Sequence, residues 1–366
     1  MKWSWKIARI AGIEVRAHVT FVVFLAWAAL AEFLARGDVA AALNGVGFLL
    51  ALFGVVVLHE LGHALVARRF GVATRDITLL PIGGVARLER LPENPRHELL
   101  IALAGPAVNV LLAGAILLFA SPRGPAAAVS AADPMTAPFW SRLLWVNVSL
   151  AAFNLLPAFP MDGGRALRAL LAMRIDHVRA TELAARLGQG IAILLAAVGL
   201  LFFQNPLLAF VALFVWMGAS QEASAAQLRF ALEGIPVRRA MIEDLRTLAP
   251  GDPLRRAVEH ILGGFQQDFP VVEDGRVVGV LTRADLMRAL SAHGPEAAVE
   301  QAMAREFRTA DPGEMLDAAF ARLQECGCHT LPVLDRGKLV GVVTMDNVGE
   351  YVRIQSALRE RMRGAA

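Results

Sequence analysis

Leu43 to Leu58 carries no charge and one polar side chain, Asn44, and it ends directly in His59-Glu60-Leu61-Gly62-His63. Ionisable groups at membrane depth are costly, so a charged triplet at the end of such a run requires a functional explanation. Histidines at i and i+4 share one helix face, close enough for both imidazoles to reach one ion. Imidazole nitrogen suits zinc, and a catalytic zinc takes three protein ligands and leaves a position for water. The glutamate inside the pattern is then placed to act as general base toward that water. The pattern therefore demands a third ligand, distant in sequence and near in space.

The rest of the chain agrees with a membrane setting. Hydrophobic residues make up 56% of its 366 residues, and the net charge is only +3. The mean hydropathy is +0.51. So small a charge gives a nucleic-acid partner no support. Two cysteines, Cys326 and Cys328, are too few for a disulfide framework and read as reduced cytoplasmic residues. Lys2, Lys6, Arg9 and Arg16 precede an apolar run from Val19 to Leu34, which reads as a first membrane helix because no clear cleavage site follows.

Six apolar segments span or nearly span a bilayer: about 18–35, 42–66, 97–120, 139–157, 188–203 and 206–222. Arginines crowd the connection after the second (Arg68, Arg69, Arg75, Arg87, Arg90, Arg96) and after the fourth (Arg165, Arg168, Arg174, Arg179, Arg186), whereas the alternate loops carry Arg36 and Arg123. By the positive-inside rule both termini are cytoplasmic, in a multi-pass protein of the cell membrane. The His-Glu pattern then lies in the cytoplasmic half of the second helix. Ile77 to Leu88, with Pro81, Gly83 and Gly84, reads as a short hairpin or re-entrant loop. Residues 165–187 read as an amphipathic interfacial stretch with arginines on one side.

Asp162 is the best candidate for the third ligand. It shares the cytoplasmic depth of the two histidines, and Pro157, Pro160, Gly163 and Gly164 break the helix around it, where backbone can bend to aim a side chain. His18, His97, His177 and Glu98 are weaker competitors at helix starts or in charged loops. His260, His293 and His329 lie in a later, soluble region. Asn109 reads either as an interhelical hydrogen bond or as a member of the site.

Past residue 223 the character changes. A polar segment leads into an internal repeat with an offset of 62 residues, in which Phe269–Thr282 matches Leu331–Thr344. Each copy reads as helix, strand, tight turn, strand and helix, with Gly275 and Gly337 where the turns need positive φ.

Together these residues resemble the site-2 protease family of intramembrane zinc metalloproteases. The likeness rests on His59-Glu60-Leu61-Gly62-His63, Gly83-Gly84, Gly105-Pro106 with Asn109, and Asn154-x-x-Pro157-x-x-Pro160-x-Asp162-Gly163-Gly164-Arg165. It implies one zinc ion per chain on His59, His63 and Asp162, Glu60 as catalytic base, and Asn154 with the Gly83-Gly84 loop contacting substrate backbone. The repeat resembles a tandem pair of CBS domains, modules that bind adenine nucleotides (ATP, ADP or AMP) or serve as docking and homodimer contacts. The ribose-contact pattern appears as Thr282-x-x-Asp285, and in the second copy as Thr344-x-x-Asn347 with its acid replaced.

The expected architecture is a polytopic α-helical membrane protein of about six transmembrane helices with a short re-entrant β-hairpin, plus a cytoplasmic α/β tandem CBS module. Its parts are a membrane protease domain at 1–222, a linker at 223–235, and CBS domains at 236–292 and 299–356. The expected function is hydrolysis of a peptide bond in or next to a transmembrane segment of a membrane-protein substrate within the lipid bilayer. The competing expectation is a transporter or channel gated by the CBS pair, with the charged triplet serving an ion pathway.

Overall fold

The computed structural model describes residues 3–81, 83–88, 94–120, 138–264, 266–326 and 328–364. Lys2, Arg90 and Arg123 of the charge pattern, and Ile82 of the expected hairpin, lie outside them. The chain divides into two units, Met1–Ser224 and Ala225–Ala366.

The first unit opens with β1 (Ser4–Ile10) and β2 (Ile13–His18), an antiparallel pair. Ala11 and Gly12 both have positive φ, as the tightest hairpin turns require. Helices α1 (Val19–Arg36) and α2 (Val39–Arg69) follow. The chain then returns as β3 (Thr74–Leu80), which pairs parallel to β2, and β4 (Gly83–Leu88), antiparallel to β3. The order is β1-β2-β3-β4, so among the described residues β4 is an edge strand. The hairpin expected at 77–88 is present, but as half of a four-stranded sheet whose other half lay in the charged N-terminal stretch.

Alternation in β2 buries Ile13, Val15 and Ala17, which pack with Ile77 and Leu79 of β3 against Phe53, Val57, Leu61 and Ala64 of α2. Arg87 of β4 donates to Asp76 of β3 at 2.9 and 2.5 Å, an ion pair that fixes the β3–β4 register.

Helix α3 (Pro95–Ala115) ends in a π turn at Ile116–Ala120 and is followed by α4 (Phe139–Asn154), α5 (Asp162–Ala172), α6 (His177–Leu201) and α7 (Pro206–Leu232). Among the described residues five helices are long and apolar enough to cross a membrane: α1, α2, α3 with part of its π turn, α6 and α7. The sixth expected segment is α4, which stops at 16 residues because Pro157 and Pro160 follow, short of the roughly 20 that a span takes. Contacts between these helices depend on small residues. A Cβ on Gly62 of α2 would lie 2.9 Å from the Ala104 carbonyl oxygen of α3, and one on Gly218 of α7 would lie 2.5 Å from Pro160.

The stretch at 165–187 does not place its arginines together on an outer face. Arg168 of α5 is buried and donates to Glu98 of α3 at 2.8 Å through Nε and to Glu222 of α7 through Nη1. Three helices thus meet at one guanidinium.

In the second unit, α8 (Leu254–Leu262), β5 (Phe269–Glu273), β6 (Arg276–Leu281) and α9 (Arg283–His293) form one repeat. The other consists of α10 (Leu316–Cys326), β7 (Thr330–Asp335), β8 (Lys338–Thr344) and α11 (Met345–Gly364). Both hairpins turn on positive-φ pairs, Asp274-Gly275 and Arg336-Gly337. The repeats exchange their leading segments. Ile242, ahead of the first, bridges to Val342 of the second, and Ala304, ahead of the second, bridges to Val280 of the first. Each core accordingly holds residues from the other's approach, Val237 beside Val333 and Val299 beside Val271. Cys326 and Cys328, expected to be reduced, are disulfide-bonded; their Cα atoms stand 5.1 Å apart, within bridging reach.

Removing the cation from a buried pair strands its carboxylates, at a cost of about 3–5 kcal/mol. Arg168→Leu is expected to destabilise the protein by that amount in denaturant unfolding in detergent. Glu98→Leu combined with Arg168→Leu is expected to regain most of the loss, since the buried carboxylate goes with the cation, while the Glu222 side chain, 37% exposed, keeps access to solvent.

Candidate metal centre

His59 and His63 sit one turn apart on the face of α2 that meets α3, 6% and 5% exposed. Their rings cross at 81° with centroids 4.8 Å apart. Each ring is held by α3 through Nδ1: His59 donates to Asn109 Oδ1 and His63 to the Ile101 carbonyl oxygen, both at 2.7 Å. With Nδ1 protonated, each Nε2 lone pair is free to face the same point. α3 can lie this close because residue 105 is glycine. A Cβ there would stand 2.6 Å from His59 Nε2 and nearer still to His63 Nε2.

Asp162 reaches the same point from the first turn of α5. The segment Leu155–Met161 doubles back with a cis Phe159–Pro160 peptide, and the turn into α5 is too tight for side chains at residues 163 and 164. A Cβ on Gly163 would meet the Leu155 carbonyl carbon at 2.5 Å, and one on Gly164 the Ala158 carbonyl carbon at 2.5 Å. A carboxylate at a helix N-terminus also gains from the dipole.

The three ligand atoms form a nearly equilateral triangle: His59 Nε2 to His63 Nε2 3.1 Å, His63 Nε2 to Asp162 Oδ2 3.1 Å, and His59 Nε2 to Asp162 Oδ2 3.2 Å. Ligands about 2.0–2.2 Å from a tetrahedral zinc stand roughly 3.3–3.6 Å apart, so two neutral imidazoles and a carboxylate in this arrangement need only a small outward shift to hold that ion and leave one position open. Among the described residues this is the one such group of histidine, cysteine and acidic side chains.

Glu60, half-buried, lies within Coulombic range of both imidazoles and of Asp162. Its Cγ is 3.0 Å from where a Cβ on Gly84 would be, so edge strand β4 passes directly beside it. Gly83 opens the same strand with φ of 139°. Asn154 is the last residue of α4, half-buried at the start of the doubled-back segment.

The competitors for the third ligand are engaged elsewhere. His18 caps α1, His97 stacks on Phe70 with centroids 4.1 Å apart, and Glu98 pairs with Arg168. His260 accepts from Arg246, and partial burial together with Arg246 and Arg256 pushes its pKa down. Sequence reasoning left the role of Asn109 open, read Gly105 only as packing, and gave Arg168 no role at the site.

In the second unit a cleft of about 600 Å³ is lined by Thr344, Asp346 and Asn347 of one repeat and by Asp268 and Arg283 of the other. Asp268 accepts from the Arg283 amide at 2.9 Å and from Thr330 Oγ1 at 2.7 Å, tying the repeats together at its base. Thr282 and Asp285 hydrogen-bond each other at the start of α9 at 2.6 Å and are not in this lining.

Models of known families match on both units: peptidase family M50 at residues 47–124 and 124–197, and the CBS domain at 237–292 and 299–353. Zinc metalloprotease MJ0392 of Methanocaldococcus jannaschii is 31% identical over 348 residues, 95% of this chain and 96% of its own. This chain belongs to peptidase family M50, the site-2 proteases. Rip3 of Mycobacterium tuberculosis is 33% identical over 383 residues, covering 97% of this chain and 94% of its own. A solved site-2 protease from M. jannaschii is 36% identical, covering 60% of this chain and 95% of that one, with a TM-score of 0.43. As a site-2 zinc metalloprotease with a CBS pair, the protein is an enzyme, and the transporter reading falls.

The cradle at Gly105 makes a sharp expectation for this site-2 protease. Gly105→Ala pushes a methyl against both Nε2 atoms, and zinc per chain is expected to fall to near zero by atomic absorption while the metal-free protein still folds. Asn109→Ala, which frees the His59 ring, is expected to weaken zinc binding about 10–100-fold in chelator competition.

Proposed function

We propose that this protease cuts a peptide bond in or next to a transmembrane segment of a membrane-protein substrate, with one zinc ion per chain on His59, His63 and Asp162. The observation that carries the reading is the triangle of two Nε2 atoms and one Oδ2, with Glu60 beside it and an open strand edge running past Glu60. When bound, zinc supplies Lewis-acid polarisation of the scissile carbonyl and of water.

A helical substrate hides its backbone, so the scissile stretch has to unwind, and its freed amides and carbonyls need partners in an apolar setting. The outer edge of β4 offers a row of them, and pairing there draws the substrate main chain past Glu60. Glu60 accepts the proton of the attacking water and returns it to the leaving amide nitrogen. Asn154, with both a donor and an acceptor in its amide, holds the substrate backbone on the far side of the cut. Both termini face the cytoplasm, following the arginine pattern.

The CBS pair takes an adenine nucleotide in the cleft at Thr344 and Asn347 and serves as a homodimer contact. Nucleotide changes cleavage to the extent that it binds two states of the protein unequally.

Glu60→Gln is the decisive variant. Cleavage of a reconstituted transmembrane substrate is expected to fall roughly 10²–10⁴-fold, with zinc still near one per chain; retained cleavage sinks the mechanism. For the cleft, ATP, ADP and AMP are titrated in thermal-shift assays on the full chain. A nucleotide at about 100 times its Kd is expected to stabilise by about 2.7 kcal/mol, and Asn347→Ala to abolish the shift. No shift with any of the three leaves the pair as a docking module.

A further inference from the structure

Two amide groups in the membrane unit are fully buried and half satisfied. Asn109 of α3 is 0% exposed; its Oδ1 accepts from His59, and its Nδ2 has no partner among the described residues. Asn147 of α4 is likewise 0% exposed; its Nδ2 donates to the Leu143 carbonyl at 2.8 Å, and its Oδ1 has no partner among the described residues. One is an orphan donor and the other an orphan acceptor. Buried polar groups left alone cost about 1–3 kcal/mol each, so a complementary pair calls for a shared partner.

The helix registers put both at the depth of the metal site. Val55 of α2, Ala113 of α3 and Leu143 of α4 share one buried cluster. His59 lies four residues after Val55, Asn109 four before Ala113, and Asn147 four after Leu143. Four residues are about one turn, so the three polar residues form the next layer down along three packed helices. Asn147 also lines a cavity together with Leu58, the neighbour of His59.

We propose that Asn147 is a positioning residue for the zinc site: its Oδ1 accepts from one buried water that in turn accepts from Asn109 Nδ2, giving a chain Asn147–water–Asn109–His59. The chain supports one position of the His59 proton. An amide can turn over with little change of shape. With Oδ1 toward His59, the imidazole carries its proton on Nδ1 and presents a lone pair at Nε2. With Nδ2 toward His59, Nδ1 has to accept, the proton moves to Nε2, and that nitrogen is lost as a ligand. By taking one hydrogen of the water, Asn147 holds it in place with a lone pair for Asn109 Nδ2, so the first orientation leaves no buried amide donor alone.

This inference rests on the zinc reading, and its test separates the two. Zinc dissociation constants are measured on the full chain in detergent by chelator competition, together with unfolding of the metal-free protein. If the wild type binds no zinc, the metal reading itself fails. If it does, Asn147→Leu is expected to weaken zinc binding roughly 10–100-fold with little loss of metal-free stability, because an apolar side chain of similar volume removes the buried amide together with its need for partners. Asn147→Asp, which keeps the acceptor, is expected to recover most of the affinity. In a double-mutant cycle, Asn147→Leu on an Asn109→Ala background is expected to cost nothing further, since the two act in series. Unchanged zinc affinity in Asn147→Leu, or additive losses, overturns the proposal. Should Asn147→Leu fail to fold, a high-resolution crystal structure of the wild type decides: a water touching both amides supports the chain, and a dry gap overturns it.

Discussion

The proposed metal site depends on two hydrogen bonds made on the far side of each imidazole from its centre. His59 and His63 each give their Nδ1 proton to α3, one to an amide oxygen and one to a main-chain carbonyl, both at 2.7 Å. Those bonds fix the tautomer and the ring plane together, and so aim both Nε2 atoms at Asp162. They exist only because α2 and α3 approach at backbone distance, which Gly62 and Gly105 permit. A larger side chain at either position would separate the helices and release the rings.

Asp162, the proposed third ligand, arrives by a different route. α4 ends early, the chain doubles back, and a glycine pair lets α5 start hard against the turn with Asp162 in its first turn. α5 is then tied to α3 and α7 by Arg168, whose buried guanidinium meets Glu98 and Glu222. The helix that orients the histidines and the helix that presents the aspartate are therefore joined by a buried ion pair. On the remaining side lies the sheet, whose core packs on α2 and whose edge strand runs beside Glu60.

The second unit solves a separate problem by exchange. Each repeat alone would leave a strand edge and part of its core open. Trading leading segments closes both and places Asp268 of one repeat against Thr330 of the other. Residues of both repeats therefore line the one cleft.

How much of this was legible in the sequence follows from the range of the interactions. The i, i+4 histidines, the Pro/Gly break that places Asp162, and the positive-φ turns at Gly275 and Gly337 are local, and periodicity with backbone sterics fixes them. The repeat is visible because its two copies bury equivalent positions. The N-terminal hairpin was missed although Ile13, Val15 and Ala17 alternate with Glu14, Arg16 and His18. That alternation becomes a buried strand only by pairing with β3, far along the chain, and charge beside an apolar helix reads equally well as a membrane lead-in. The inward turn of Arg168 was likewise hidden, since only the meeting of α3, α5 and α7 supplies its carboxylates. Sequence alone determined the ligand types, their spacing and the apolar setting. The tertiary structure decided which nitrogen of each histidine is free, which glycine makes room for them, and which strand edge lies beside the base, because each depends on the distance between backbones that the sequence does not contain.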